Sequence, residues 1–312
     1  MSTRTRVAVI GGGRSGNHDA SLASAASATQ ALKGAGRWDV VPLTVGRDSS
    51  WLDAHGHPLD TAAAITILRG CDVALPLAPA MAGFLELTGV RYAGSGVGAG
   101  AIGTDRWATK LVAEAIGIAT APGTLLTART AADFRWSEPV VVKPVGTGSS
   151  PGVSLVDTRA GLEPALREAL RHDDRVLVER VILGREIGVG VLGRPDGSRT
   201  VAPPLEVVAA GLLDYSSRHD RPAEFRIPAE IDDVCRKSLE IAAVGIYDAL
   251  GCRGVTRADF FLTEDGLMLN KVNTVPGLTA RSRTPWMFAA AGITYSELLT
   301  ILIDDALARP SR

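Results

Sequence analysis

Lys143-Pro144 runs into Gly146-Thr147-Gly148-Ser149-Ser150-Pro151-Gly152, which sets a cation at the end of an apolar run beside a flexible, donor-rich loop. Backbone N–H groups of such a loop can wrap phosphate oxygens while the lysine adds a point charge. An isolated glycine loop is more often a surface turn with a snorkelling lysine. This loop has company. Val176-Leu177-Val178-Glu179 leads through Gly184 to Glu186, placing two carboxylates at a strand end and at the start of the next strand. Acceptors at the rim of a cleft suit the amine of adenine and the hydroxyls of ribose, although two glutamates alone also read as a solvated pair. Further on, Arg257-Ala258-Asp259 and Asn273 fall on two strands of a hairpin, Arg257 and Asp259 sharing one face by the period of two. An acid and an amide oxygen on adjacent strands suit Mg²⁺, which takes a few oxygen ligands plus nucleotide phosphates. The competing reading is a buried Arg257–Asp259 structural pair.

The elements that must hold these residues alternate in type. Val7-Ala8-Val9-Ile10 followed by three glycines predicts a buried parallel strand and a turn, then a helix over residues 15–32. A strand over 39–45, a helix over 61–68 and a strand over 72–77 continue a parallel sheet covered on both faces. The glycine-rich stretch 94–100 reads as a connection, so a boundary falls there: residues 1–96 as an N-terminal α/β unit, 97–180 as a central unit and 181–312 as a C-terminal unit. A helix is expected over 104–116, strands over 140–144, 154–156 and 176–179, and a helix over 159–170. Strands over 186–192 and 200–208 follow, then a long helix over 231–250. A hairpin turning at Glu264-Asp265-Gly266 and a final helix over 294–307 complete the chain.

Composition narrows the partners. With 33 basic against 34 acidic side chains and no basic cluster, neither nucleic acid nor a lipid surface is the expected partner; small molecules are. The 33 include only five lysines, Lys33, Lys110, Lys143, Lys237 and Lys271, so each lysine is more informative than usual. Three cysteines without a C-x-x-C pair argue against a disulfide framework or a zinc site and fit a reducing cytoplasm. No apolar stretch has the roughly 20 residues of a membrane span. His55-Gly56-His57 reads as a solvated turn, and Gly11 to Gly16 lacks the acidic partner that a dinucleotide fingerprint needs.

Taken in order, these segments resemble the ATP-grasp superfamily and, within it, the D-alanine:D-alanine ligases. Gly12-Gly13-Arg14-Ser15, His18, Tyr92-Ala93-Gly94-Ser95-Gly96, Asp214-Tyr215, Val272-Asn273-Thr274, Pro276-Gly277 and Ser282 extend the resemblance over nearly the whole chain. It implies an ATP-grasp fold, mixed α/β and α+β, behind an N-terminal parallel-sheet domain. It also implies an ATP- and Mg²⁺-dependent enzyme joining a carboxylate to an amine through an acyl phosphate, with a homodimer as an open option. By the same resemblance, Arg106 and Lys143 hold phosphates, Glu179 meets adenine, Glu186 meets ribose, and Ser149 and Ser150 close over the reacting groups. Arg257 would steady the acyl phosphate and tetrahedral intermediate, Asp259 and Asn273 would hold Mg²⁺, and Ser282 would hold the carboxylate of the attacking amino acid.

Several positions depart from the family pattern. Arg106 stands for a lysine, Arg218-His219 for Lys-Tyr, and the H-G-x-x-G-E-D-G loop is missing after Leu77. Asn17, beside His18 at the first-substrate position, replaces the glutamate that pairs with an ammonium; losing that charge weakens a contact typically of about 1.5–3 kcal/mol. Lys271 replaces a metal-binding glutamate, and strand register aims it at the face of Asn273. The expectation is a ligase whose substrates differ from two D-alanines; the alternative is a degenerate relative that binds ligand without ATP-dependent ligation, or an ATP-independent enzyme.

Overall fold

The computed structural model describes residues 4–78, 80–147, 151–208 and 224–309. The first layer contains β1 (Thr5–Gly12), α1 (His18–Gly34), β2 (Trp38–Val45), β3 (Trp51–Leu52), β4 (Pro58–Leu59), α2 (Thr61–Arg69), β5 (Val73–Pro76) and α3 (Met81–Thr88). Its sheet has the order β4-β3-β2-β1-β5, with β1 parallel to both β2 and β5. The unbroken apolar run of β1 follows from cover on both faces. Val7 and Val9 enter one core with Ala28 and Leu32 of α1, while Ala8 and Ile10 enter another with Ala64 and Leu68 of α2 and Leu85 of α3. The turn after β1 requires glycine: Gly12 has φ +96° and a Cβ there would lie 2.1 Å from Val45 O.

The stretch expected to be a glycine connection and one helix is instead two helices, α4 (Val97–Thr104) and α5 (Arg106–Ala115). They part at Asp105, which is extended and whose carboxylate accepts from Ala108 N at 2.7 Å to cap α5. Glycine inside α4 has a packing reason: a Cβ on Gly103 would stand 2.7 Å from Thr274 Cγ2.

Next come β6 (Gly123–Thr127), β7 (Val140–Pro144), β8 (Ser154–Val156), α6 (Arg159–Ala169) and β9 (Arg175–Arg180). The four strands form an antiparallel sheet in the order β6-β9-β7-β8, and Leu162 and Leu166 of α6 pack on its Val142, Val156, Val176 and Val178. The final part comprises β10 (Arg185–Gly193), β11 (Arg199–Val201), β12 (Leu205–Val208), β13 (Glu224–Arg226), α7 (Asp233–Ala249), β14 (Val255–Thr263), β15 (Gly266–Asn273), α8 (Arg283–Ala290) and α9 (Tyr295–Ala308). Its antiparallel sheet runs β13-β12-β10-β14-β15, with β11 beside β10. Ala99 of α4 and Ala113 of α5 share a core with Ile187 of β10, Leu239 and Ile246 of α7 and Val272 of β15. No single helix among the described residues is long and apolar enough to cross a membrane.

Candidate active site

A cavity of about 310 Å³ opens where the three layers meet. Ser15, Gly16 and Asn17 reach it from the turn before α1, Lys143 and Glu179 from the central sheet, and Lys271, Asn273 and Thr274 from β15 and the loop after it. Sheet register explains the first charged pair. Val141 of β7 faces Glu179 of β9, and Lys143, two residues on, shares that face. Lys143 Nζ accordingly donates to Glu179 Oε2 at 2.6 Å.

The other carboxylate oxygen of Glu179 accepts from Lys110 Nζ at 3.1 Å. Lys110 comes from α5 and also donates to Thr120 Oγ1 at 2.7 Å and to the carbonyl of Ala121. That segment is fixed in turn to β15, because Leu269 N donates to Ala119 O at 2.8 Å. All three charged groups are buried. Burial pushes the Glu179 carboxyl up, but the charges of Lys143 and Lys110 and their hydrogen bonds outweigh it, and the net direction is down. Lys110 was not among the residues expected at the site. A lysine within an amphipathic helix normally reads as solvated, and the available signal was the scarcity of lysine in the chain.

Arg106, the first residue of α5, turns its guanidinium to the start of the glycine loop, donating from Nε to Pro144 O at 3.1 Å and from Nη2 to Thr147 O at 3.0 Å. The far end of that loop returns at Gly152, where φ is +77° and a Cβ would come within 2.6 Å of His172 and 2.8 Å of Pro144. Ser149 and Ser150 lie outside the described residues, as do Arg218 and His219.

On β14, behind the side of the cavity that Lys271 and Asn273 line, Arg257 grips Asp259 with both arms, Nε to Oδ1 at 2.6 Å and Nη2 to Oδ2 at 2.9 Å; neither residue lines the cavity itself. Lys271 stands directly across from Asp259 in the β14–β15 ladder, and its ammonium lies 3.6 Å from Oδ2. The register places it on the face of Asn273, as the period of two requires. Burial pushes the Asp259 carboxyl up, yet the Arg257 charge and hydrogen bonds, with Lys271 and Arg283 beyond, hold it below the ordinary carboxylate range. This donor set does not fit the metal that the family pattern implies at Asp259. Its oxygens already serve two cations, and an ammonium about 4 Å from a dication would be repelled by about 8 kcal/mol at an effective dielectric of about 20. Nor do the described residues contain any group of three or more His, Cys, Asp or Glu that could hold a metal ion.

The remaining expected residues are distributed around this centre. His18 is buried and its Nδ1 lies 2.6 Å from Gly13 O, so it braces the turn that presents Asn17. Glu186 is at the start of β10 and its charge acts on Arg257. Ser282 occupies the N-cap position of α8 without a side-chain capping bond; its Oγ accepts from Thr279 N at 3.1 Å and lies 2.8 Å from Thr279 Oγ1.

The whole chain resembles solved ligases of known fold. The VanG D-Ala:D-Ser ligase of Enterococcus faecalis matches with a TM-score of 0.85 at 27% identity, covering 97% of this chain and 100% of that one. D-alanyl-alanine synthetase A of Vibrio cholerae matches with a TM-score of 0.86 at 25% identity, covering 99% and 100%. This is an ATP-grasp protein. A model of the D-ala D-ala ligase C-terminus matches residues 124–304, and the D-alanine–D-alanine ligase of Mycolicibacterium smegmatis is 36% identical over 98% of this chain and 96% of its own length. The chain belongs to the D-alanine–D-alanine ligase family. Alignment to that relative runs over 360 positions against 312 residues here, so at least 48 positions have no counterpart in this shorter chain.

Proposed function

We propose that this chain is an ATP-dependent carboxylate–amine ligase whose substrates are not two D-alanines. The observation that carries the reading is the convergence of Lys143, Lys110 and Arg106 on one cavity with Asn17 at its N-terminal wall. Those cations and the glycine loop fit a nucleotide polyphosphate. Glu179, engaged by both lysines, fixes their position, and Glu186 is the acceptor proposed for ribose. ATP would supply the phosphoryl group that activates a carboxylate as an acyl phosphate, with ADP leaving. An amine then attacks the acyl carbon, phosphate departs, and the amine nitrogen loses a proton to give the amide. Arg257 is the residue assigned to steadying the charge that develops on the acyl oxygens. Ser149 and Ser150 are assigned to the loop that closes over them, and Ser282 to the carboxylate of the attacking amine.

The substrate reading rests on Asn17 and on the short link after β5, in which Leu77 and Ala78 lead almost directly to α3. A neutral amide holds an ammonium less well than a carboxylate does. Arg218 and His219 are assigned to the same substrate region. Incubation with mixed amino and carboxylic acids, with and without ATP, followed by mass spectrometry, tests the proposal. New amides should form only with ATP; robust D-alanyl-D-alanine formation from D-alanine alone overturns the substrate reading. The position of Lys271 beside Asp259 favours one second reading, a nucleotide-binding relative that does not ligate. ATP binding without any amide product would select it.

A further inference from the structure

The charged side chains lining the cavity are far from balanced. Among the described residues, Arg106, Lys110, Lys143 and Lys271 are set against a single carboxylate, Glu179. That carboxylate is already held by two of them, at 2.6 and 3.1 Å. Just behind the wall, Asp259 is held by Arg257 and faced by Lys271, so it adds no free negative charge to the cavity. Mg²⁺ is usually held by one or two carboxylates together with substrate phosphates; among the described lining residues the amide of Asn273 is present, but the one carboxylate, Glu179, is engaged by two lysines.

Resting on the nucleotide-binding reading above, we infer that Lys271 takes over the charge-neutralising task of a metal ion, so that the cavity accepts the polyphosphate as a free anion and not only as its Mg²⁺ complex. Lys271 is well suited to this. Its side chain is 36% exposed, so it can extend into the cavity, and its partner Asp259 fixes the stem's direction without enclosing the ammonium. Lys143 and Arg106 face it from the glycine-loop side of the same cavity. Three cationic groups from two sheets and a helix start thereby surround the space that a phosphate chain would fill, and a phosphate oxygen is a stronger acceptor for an ammonium than water is.

Calorimetric titration of ATP into the full chain, in chelator and in excess Mg²⁺, tests this without any turnover. Wild-type affinity is expected to differ by less than about threefold between the two conditions, whereas Lys271→Gln should weaken metal-free binding about tenfold or more and Lys271→Arg should retain it. Lys271→Glu should bind ATP only when Mg²⁺ is present. Wild-type binding that needs Mg²⁺, or a Lys271→Gln variant with unchanged metal-free affinity, overturns the inference while leaving the ligase reading intact. ATP binding in neither condition overturns both.

Discussion

Gly188 on β10 stands opposite Asp259 on β14, and a Cβ on Gly188 would lie 3.2 Å from Asp259 Oδ1 and 3.5 Å from Arg257 Cδ. The absence of a side chain on one strand is what leaves room for the bidentate ion pair on the next. Gly188→Val should therefore displace the pair and destabilise the fold by about 1–3 kcal/mol, the usual range for overpacking. Urea unfolding followed by circular dichroism reads this out, and a wild-type midpoint in the variant would contradict it.

Glu179 is the anion between two buried lysines. Glu179→Gln removes the charge that holds both, and breaking a buried pair in this way typically costs about 3–5 kcal/mol. The chemical denaturation midpoint should fall accordingly. A loss below about 1 kcal/mol would mean that water reaches Lys110 and Lys143 as freely as at an exposed pair.

Acid should expose the same dependence. The folded-state pKa values of Glu179 and Asp259 are both lowered from ordinary values of 4.5 and 3.8. Their contribution to stability is thus complete above those ordinary values and is lost as pH falls through the lower folded-state ones. Stability measured against pH should drop on the acid side, and Glu179→Gln should flatten that limb. An acid limb of equal steepness in the variant would assign the loss to other groups.

Lys143 pairs with Glu179 and lines the cavity. Lys143→Ala is expected to weaken ATP binding about tenfold or more, the equivalent of about 1.4 kcal/mol. Unchanged affinity by calorimetry would remove the lysine from the nucleotide site.

Much of this arrangement could be read from local pattern. β7 and β8 begin and end at the residues that the apolar runs predict, and the β14–β15 hairpin puts Lys271 on the face of Asn273 as expected. What local pattern could not supply came from distant contacts. β6 has one buried side chain, Leu126, so its sequence carries little alternation, and it is a strand because β9 pairs with it. α4 holds Gly98, Gly100 and Gly103, which reads as a linker until the approach of Thr274 is known. Lys110 joins the site through Thr120, Ala121 and Glu179, partners that no spacing along α5 announces.

The β14–β15 ladder slips between Asp259 and Phe260, pairing them with Lys271 and Leu269 and leaving Asn270 as an extra residue in β15. Leu269 and Val272 are three apart, yet both are buried in the same core, which strict alternation would forbid. The extra residue separates the phases of the strand's two halves. Charge at positions 271 and 273 can consequently be rewritten during evolution without moving the apolar side chains that anchor the strand. Removing Asn270 would leave Leu269 and Val272 two apart and still on one face, with Lys271 opposite, so the extra residue resets how the strand's two halves pair with β14 without changing which side chains enter the core.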